Sequence, residues 1–363
     1  MNFQTLVNPK AAAQDEVARE FCEVFFGPGA CKRYVLGRNI YAASVAKHVE
    51  VDAFIDDYCT ESSYLGKPVV KLADVPMDAL VLNVAGGRPL SARQRLDDAG
   101  LQNLDYFSAY RNAGLPLAQM RFNEGFRDEY QANQEKYAWV YDLLKDEESR
   151  TVFAKLVSFR FDYDISHLEG FTYREHLQYF EDLLALKPDG ETFLDVGGFD
   201  GFTSEEFIKH CPGYKAIHVF EPEASNRERC LERLAGREHV QIHPIGLSDS
   251  AKELRFDVQG SASTVSEHGT VVINVDKLDN VLKGVAPTLI KIDIEGGESD
   301  ALAGARETIA TYQPRLAISV YHVPGDFWRI PEQILAIRGD YEIYLRHYTE
   351  CIYETVMFFI PKA

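Results

Sequence analysis

Short apolar runs closed by glycine or acidic residues alternate along this chain with stretches of helical spacing. Residues 14–26 read as an amphipathic helix stopped by Gly27-Pro28-Gly29. A strand at 33–36, a turn Gly37-Arg38-Asn39, a helix at 41–48 and a strand at 51–55 follow, the last ending in Asp56-Asp57. A further apolar run at 79–84 ends in Ala85-Gly86-Gly87. This order of elements predicts a small Rossmann-like α/β domain. From about 115 to 186 the pattern turns helical, with aromatic and ionisable residues crowded at 160–164 and 170–180. Such a segment ahead of a cofactor domain predicts a lid over an active site, and ordinary packing between domains is an equal alternative.

A second, clearer α/β unit begins at Glu191. Strands are predicted at 193–196, 216–220, 240–244, 289–294, 315–321, 341–346 and 354–360, with short β-like pieces LRFDV and VVINV between 247 and 275. Helical stretches separate the first five strands, which predicts a doubly wound, seven-stranded Rossmann-like sheet. No helix fits between the last two strands, so they should pair antiparallel as a hairpin at the sheet edge. The expected organisation is 1–114 for the helix and small domain, 115–190 for a helical connector or lid, and 191–363 for the larger domain.

The chain has 363 residues, enough for two cores, and 38 Lys and Arg against 56 Asp and Glu give a formal charge of −18. That field disfavours nucleic acid and anionic membrane as general partners. Neither a signal-like start nor a membrane-length apolar run is present, and six cysteines lie without metal-ligand spacing. The expectation is a cytoplasmic protein with reduced thiols and no membrane insertion.

Candidate chemistry concentrates at ETFLDVGGFDGFTSEEF, residues 191–207. An apolar strand runs into Asp195-Val196-Gly197-Gly198-Phe199-Asp200-Gly201 and then into Phe202, Thr203 and a helix. Glycines there permit a sharp turn and close approach of a ligand. The next strand ends in Glu221-Pro222, where an acid can accept hydrogen bonds from ribose hydroxyls. Asp195 and Asp200 would repel the phosphates of a dinucleotide, whereas carboxylates suit a sulfonium, an ammonium and a ribose. S-Adenosylmethionine therefore fits better than NAD; a glycine turn that binds nothing is the bland alternative. In the first domain, Gly37-Arg38-Asn39-Ile40-Tyr41-Ala42 is a degraded dinucleotide fingerprint. Asp56 and Asp57 read as ribose acids or, with somewhat more weight, as solvated residues at a strand end.

DVGGFDGFTS, HVFEPEASN, IGLSD, VDKLDNV, LIKIDIEGGESDALAGA and AISVYH…IYLRHYT together resemble the FkbM-type family of S-adenosylmethionine-dependent methyltransferases, from about 151 to the C-terminus. The resemblance implies O-methylation of sugars or natural products. It also implies cofactor contacts at Asp195, Gly197, Asp200 and Thr203, a ribose contact at Glu221, and Leu247, Ser248 and Asp249 beside the adenine. The N-terminal domain resembles, more weakly, the nucleotide-sugar-binding domains of sugar acyltransferases, with YLGKPVV after Asp56-Asp57.

Methyl transfer to oxygen needs in-line positioning and a group to take the hydroxyl proton. Strand ends in the second domain carry Asp293 with Glu295 and Glu298, Tyr321-His322, and His347-Tyr348. The expectation is that His322 or Asp293 removes the proton while the other orients the acceptor, with Glu298 in the same catalytic set. Capping of the following helix competes for the acids, and a role as an ordinary satisfied histidine competes for His322 and His347. Carboxylates with histidine suit Mg²⁺ or Mn²⁺, but the spacing supports no metal and none is assigned. Tyr173 and Tyr179 are candidates for stacking on a sugar face. Two rival readings remain: an N-terminal module that binds NAD or a nucleotide sugar, with a redox role, and a scaffold without methyl transfer. A homo-oligomer is a further expectation.

Overall fold

The computed structural model describes residues 13–257, 264–265 and 271–362, with Phe3 and Val7. Its residues divide into two units. One comprises the chain up to Ala132 with Phe153–Tyr173 and Tyr348–Tyr353; the other comprises Asn133–Val152, Arg174–His347 and Glu354 onward. The boundaries thus differ from 114 and 190. The 115–190 segment is divided between the two units.

In the first unit, β1 (Lys32–Leu36), β2 (Ala53–Ile55), β3 (Ser63–Tyr64), β4 (Lys67–Val70), β5 (Ala79–Asn83) and β6 (Gln102–Asp105) form a sheet in the order β3-β4-β2-β1-β5-β6. All neighbours are parallel except β3 with β4. The pattern had not revealed β3, β4 or β6, which are short and half-exposed. The helix Ala13–Phe26 buries Ala18, Phe21, Cys22 and Phe25, the spacing of one helical face. Asn39 caps the helix Ile40–Val45 through the N–H groups of Tyr41 and Ala42, and its amide donates to the Val84 carbonyl at 2.7 Å. The turns after β1 and β5 are thereby stapled together.

In the second unit, β7 (Thr192–Val196), β8 (Ala216–Phe220) and β9 (Val240–His243) run outward from the sheet centre. β10 (Gly246–Leu247), β11 (Lys252–Asp257), β12 (Thr264–Val265) and β13 (Val271–Asp276) form a separate small sheet in the order β10-β13-β11-β12. β14 (Leu289–Ile292), β15 (Arg315–Ser319), β16 (Tyr341–His347) and β17 (Thr355–Pro361) complete the large sheet, whose order is β16-β17-β15-β14-β7-β8-β9. β7 and β14 are wholly buried, as expected of central parallel strands covered on both faces. β16 and β17 do pair antiparallel, and β17 inserts between β15 and β16. The fold is the doubly wound, seven-stranded Rossmann-like one. All six cysteines are free thiols, and among the described residues no helix is long and apolar enough to cross a membrane.

Candidate active site

Winding reverses between β7 and β14, and at such a switch point a crevice opens beyond the carboxyl ends of the strands. A cavity of about 830 Å³ lies there, within the second unit. The N–H groups of Gly197 and Gly198 both donate to the Phe220 carbonyl at 3.1 Å, tying the turn after β7 to the tip of β8. Gly197 has φ +85°, and a Cβ on it would lie 1.9 Å from the Asp293 carbonyl oxygen; one on Gly198 would lie 2.1 Å from Val219. Close packing, more than ligand approach, therefore requires these two glycines. Gly201, with φ +81°, starts the helix Phe202–His210 and stands behind the cavity wall.

Glu221 accepts hydrogen bonds from the N–H groups of Phe199 and Glu223, both at 2.9 Å, which aims it at the turn. Burial holds its carboxyl above the usual range despite those donors. Asp200 receives the Phe202 N–H and an ion pair from Arg233 at 2.6 Å, so part of its charge is already met. Phe202, Thr203, Pro222, Leu247 and Ser248 join these residues on the wall, while Leu254, Ile273 and Val275 of the small sheet supply its apolar part.

Besides Gly201, two expected contacts are absent from the wall. Asp195 is fully buried behind it, taking the Ser204 hydroxyl at 2.7 Å and the Lys291 ammonium at 3.1 Å. Asp249 points away into a pair with Lys252 at 2.8 Å, which holds its carboxyl down at about 2. Lys291 was missed, because one lysine inside an apolar strand resembles any other. It is buried, donates to the Gly197 carbonyl at 2.6 Å, and lines the cavity. Burial alone would lower its pKa, but Asp195 and Asp293 hold it above the usual value.

Asp293, Glu295 and Tyr179 also stand on the wall. The Tyr179 hydroxyl donates to Asp293 at 2.7 Å and lies 3.2 Å from Ser319. Burial would raise the Asp293 carboxyl, yet Lys291 and His322 keep it below the normal range. His322 and Glu298 do not reach the cavity. Glu298 Oε1 sits 2.9 Å from His322 Nδ1 and accepts the Ile294 N–H at 2.9 Å, while His322 Nε2 lies 3.6 Å from Asp293 and 3.8 Å from Glu295. Burial would lower the imidazole, but these three acids push it up to about 10. The surrounding acids thus favour the imidazolium over the neutral ring. His322, expected either to take the proton or to orient the acceptor, is placed behind the wall against Glu298, Asp293 and Glu295. Helix capping is not the acids' role either, since the helix Glu298–Gly304 starts at Gly297 with no side-chain cap.

Asp293, Glu298 and His322 bring ligand atoms within 4.8 Å of one another, a grouping chemically able to hold a divalent ion. His347 lies elsewhere, its Nδ1 3.0 Å from the Thr355 hydroxyl. Tyr173 belongs to the first unit, where the Arg88 guanidinium sits 4.0 Å over its ring. Neither lines the cavity.

Reading the sequence also missed Glu354, in the turn before β17. It lines the cavity, takes the Tyr321 hydroxyl at 3.2 Å on one oxygen and the Gln178 amide on the other. Burial, then repulsion by Asp293, pushes its carboxyl up to about 7. A positive φ on a residue other than glycine marks the place: Tyr179, Phe199, Glu295 and Glu354, all on the wall, have φ of 69°, 49°, 59° and 59°. Among the described residues Lys291 is the single cation on the wall, against Glu175, Asp200, Glu221, Glu223, Asp293, Glu295, Asp300 and Glu354.

In the first unit, the corresponding turn offers no open acid. Arg38 binds Asp56 at 2.9 Å and also pairs with Glu61, while Asp57 takes the Leu72 N–H at 2.9 Å and Arg95. Both strand-end acids are thus ion-paired within the protein and partly exposed.

Residues 195–349 match the model of the family described as the methyltransferase FkbM domain. A curated relative, the 2-O-methyltransferase NoeI of Sinorhizobium fredii (strain NBRC 101917 / NGR234), is 25% identical over 148 residues. That match covers 34% of this chain and 60% of the relative, so the chain spans under two thirds of the relative's length. A solved structure, methyltransferase FkbM from Methylobacillus flagellatus KT, superposes with a TM-score of 0.76 over 98% of both chains at 24% identity.

Proposed function

We propose that this chain, whose residues 195–349 match the methyltransferase FkbM domain, uses S-adenosylmethionine to methylate a hydroxyl of a sugar or another polar small molecule. The observation that carries the cofactor reading is the charge of the cavity wall: carboxylates at both ends and one cation, itself neutralised by Asp195. A pyrophosphate would be repelled there, whereas a sulfonium, an ammonium and ribose hydroxyls find acceptors. Glu221 suits the ribose, the turn 197–203 the amino-acid part, and the apolar wall near Leu247 the base. S-Adenosylmethionine supplies a methyl group activated by its positive sulfur.

The protein's own part is to hold an acceptor hydroxyl in line and to take its proton. Asp293, fixed by Tyr179 and held ionised, orients the hydroxyl through a charge-assisted hydrogen bond. Support for oxygen as the methylated atom comes from the 2-O-methyltransferase name of the relative and from the carboxylates facing the acceptor end.

Calorimetric titration with S-adenosylhomocysteine, NADH and a UDP-sugar tests the reading. We expect binding of the first alone, weakened roughly 10- to 100-fold in Glu221→Ala for the loss of about 1.5–3 kcal/mol of charged hydrogen bonding. Binding of NADH or the UDP-sugar with none of S-adenosylhomocysteine would overturn it. A tritium-transfer screen from labelled S-adenosylmethionine to methyl glycosides then tests the acceptor class.

A further inference from the structure

We propose that Glu354 is the general base of this site, and that the positive charge of the cofactor's sulfonium switches it to the ionised form. The proposal rests on the S-adenosylmethionine reading above and names a residue which that reading leaves open.

Geometry pairs the carboxyl with Asp293 on the cavity wall. Consecutive residues Gln178 and Tyr179 hold Glu354 and Asp293 respectively, and consecutive residues Tyr321 and His322 face the same two acids from the end of β15. Both carboxyls are therefore fixed on the cavity wall by the same pair of elements, and they repel each other. The charged and titratable groups facing Glu354 are Asp293 beyond β14, His322 and Tyr321 beyond β15, and Glu175 and Tyr179 of the preceding segment. Among them the other candidate bases fail on chemistry. His322 is held as a cation, Asp293 is held ionised by Lys291 and His322 and so binds a proton weakly, and both tyrosines are pushed well above their usual value. Glu354, pushed up to about 7 by burial and by Asp293, has a proton affinity matched to neutral pH, the condition for an efficient base.

The step balances. The acceptor O–H bond breaks and its proton goes to the Glu354 carboxylate. The oxygen forms a bond to the methyl carbon, and the carbon–sulfur pair stays on sulfur, which becomes neutral. A positive charge and a negative charge thus vanish together. With a sulfonium in the cavity Glu354 is favoured as carboxylate; once the sulfur is neutral, repulsion by Asp293 favours the proton it has just received. The two carboxyls act as one coupled pair whose proton count follows the charge on sulfur.

Proton release on ligand binding tests this without any acceptor. S-Adenosylmethionine and S-adenosylhomocysteine share amino, carboxyl and ribose groups, so the difference between them isolates the sulfonium. Titration of each into the whole protein at pH 7, in phosphate and in Tris, counts the protons from the dependence of heat on buffer. We expect S-adenosylmethionine to release about half a proton more than S-adenosylhomocysteine, and Glu354→Gln to abolish the difference while keeping S-adenosylhomocysteine affinity. A second measurement needs no variant: the wild-type affinity ratio of the two ligands should rise with pH and level off above about 7. Equal proton counts, a flat ratio, or a difference that survives in Glu354→Gln would overturn the assignment while leaving the cofactor reading intact. Binding of neither ligand would overturn the cofactor reading, and the base with it.

Discussion

Replacing Glu354 by Gln is expected to stabilise the protein, and to do so only at neutral and alkaline pH. The carboxyl moves from 4.5, its ordinary value, to about 7 in the folded chain. An acid whose folded pKa lies above its unfolded one costs nothing below the unfolded value. The cost grows through the interval and is complete above the folded value. At about 1.4 kcal/mol per unit, the interval between pH 5 and pH 8.5 carries roughly 2–3 kcal/mol. Water in the cavity screens part of that, leaving about 2 kcal/mol. The neutral amide removes the cost, although it conflicts with the Gln178 amide and loses about 1 kcal/mol at every pH. Urea unfolding of both proteins at pH 5 and pH 8.5 separates the two effects. With a slope of about 3 kcal/mol per molar, the midpoint of Glu354→Gln relative to wild type should rise by roughly 0.7 M between the two pH values. A difference between variant and wild type that is constant across this range to within about 0.5 kcal/mol would refute the account of Glu354 as a carboxyl strained by burial and by Asp293.

Gly197→Ala is expected to cost more than about 2 kcal/mol and to abolish S-adenosylhomocysteine binding, because its Cβ would strike the Asp293 carbonyl at φ +85°. Gly87→Ala, which meets nothing within 4 Å, serves as the control, and equal calorimetric melting of the two variants would sink the packing argument. Lys291→Met leaves Asp195 buried without its cation and should cost about 3–5 kcal/mol, of which the added change Asp195→Asn recovers at least half. A double variant no more stable than Lys291→Met, read by the same melting experiment, would show that stranded charge is not the cause.

The large sheet was legible because central parallel strands are nearly unbroken apolar runs, and every one of its seven strands announced itself within two residues at each end. Strands such as Ser63–Tyr64 and Gln102–Asp105 were not legible. They are short, half-exposed and polar, and owe their conformation to neighbours already in place. Division into units was hidden for a related reason. The helix Glu147–Asp162 supplies residues to both, so no composition break marks the boundary. Glu221 and the turn 197–203 could be located because strand, glycine turn and helix follow one another locally. Glu354 and Lys291 could not, since what distinguishes them is the company of Asp293, Gln178 and Asp195, each more than 60 residues away in sequence for at least one contact.

What marks the site physically is a concentration of unfavourable terms that the rest of the molecule has to offset. Four cavity residues other than glycine hold a left-handed backbone, an imidazolium is buried whole, and two carboxyls repel across a shared wall. None of these improves the fold. A core of apolar residues at Glu298, His322 and Glu354 would bury the same volume without desolvating charge. On the proposed reading their arrangement serves a ligand whose charge changes during reaction: a sulfonium would lower the repulsion between Asp293 and Glu354 before transfer, and a proton would do so after it. The same reasoning accounts for His322. A titrating imidazole in that position would absorb the proton change meant for Glu354, whereas one held at about 10 stays charged throughout and leaves the carboxyl pair to respond alone.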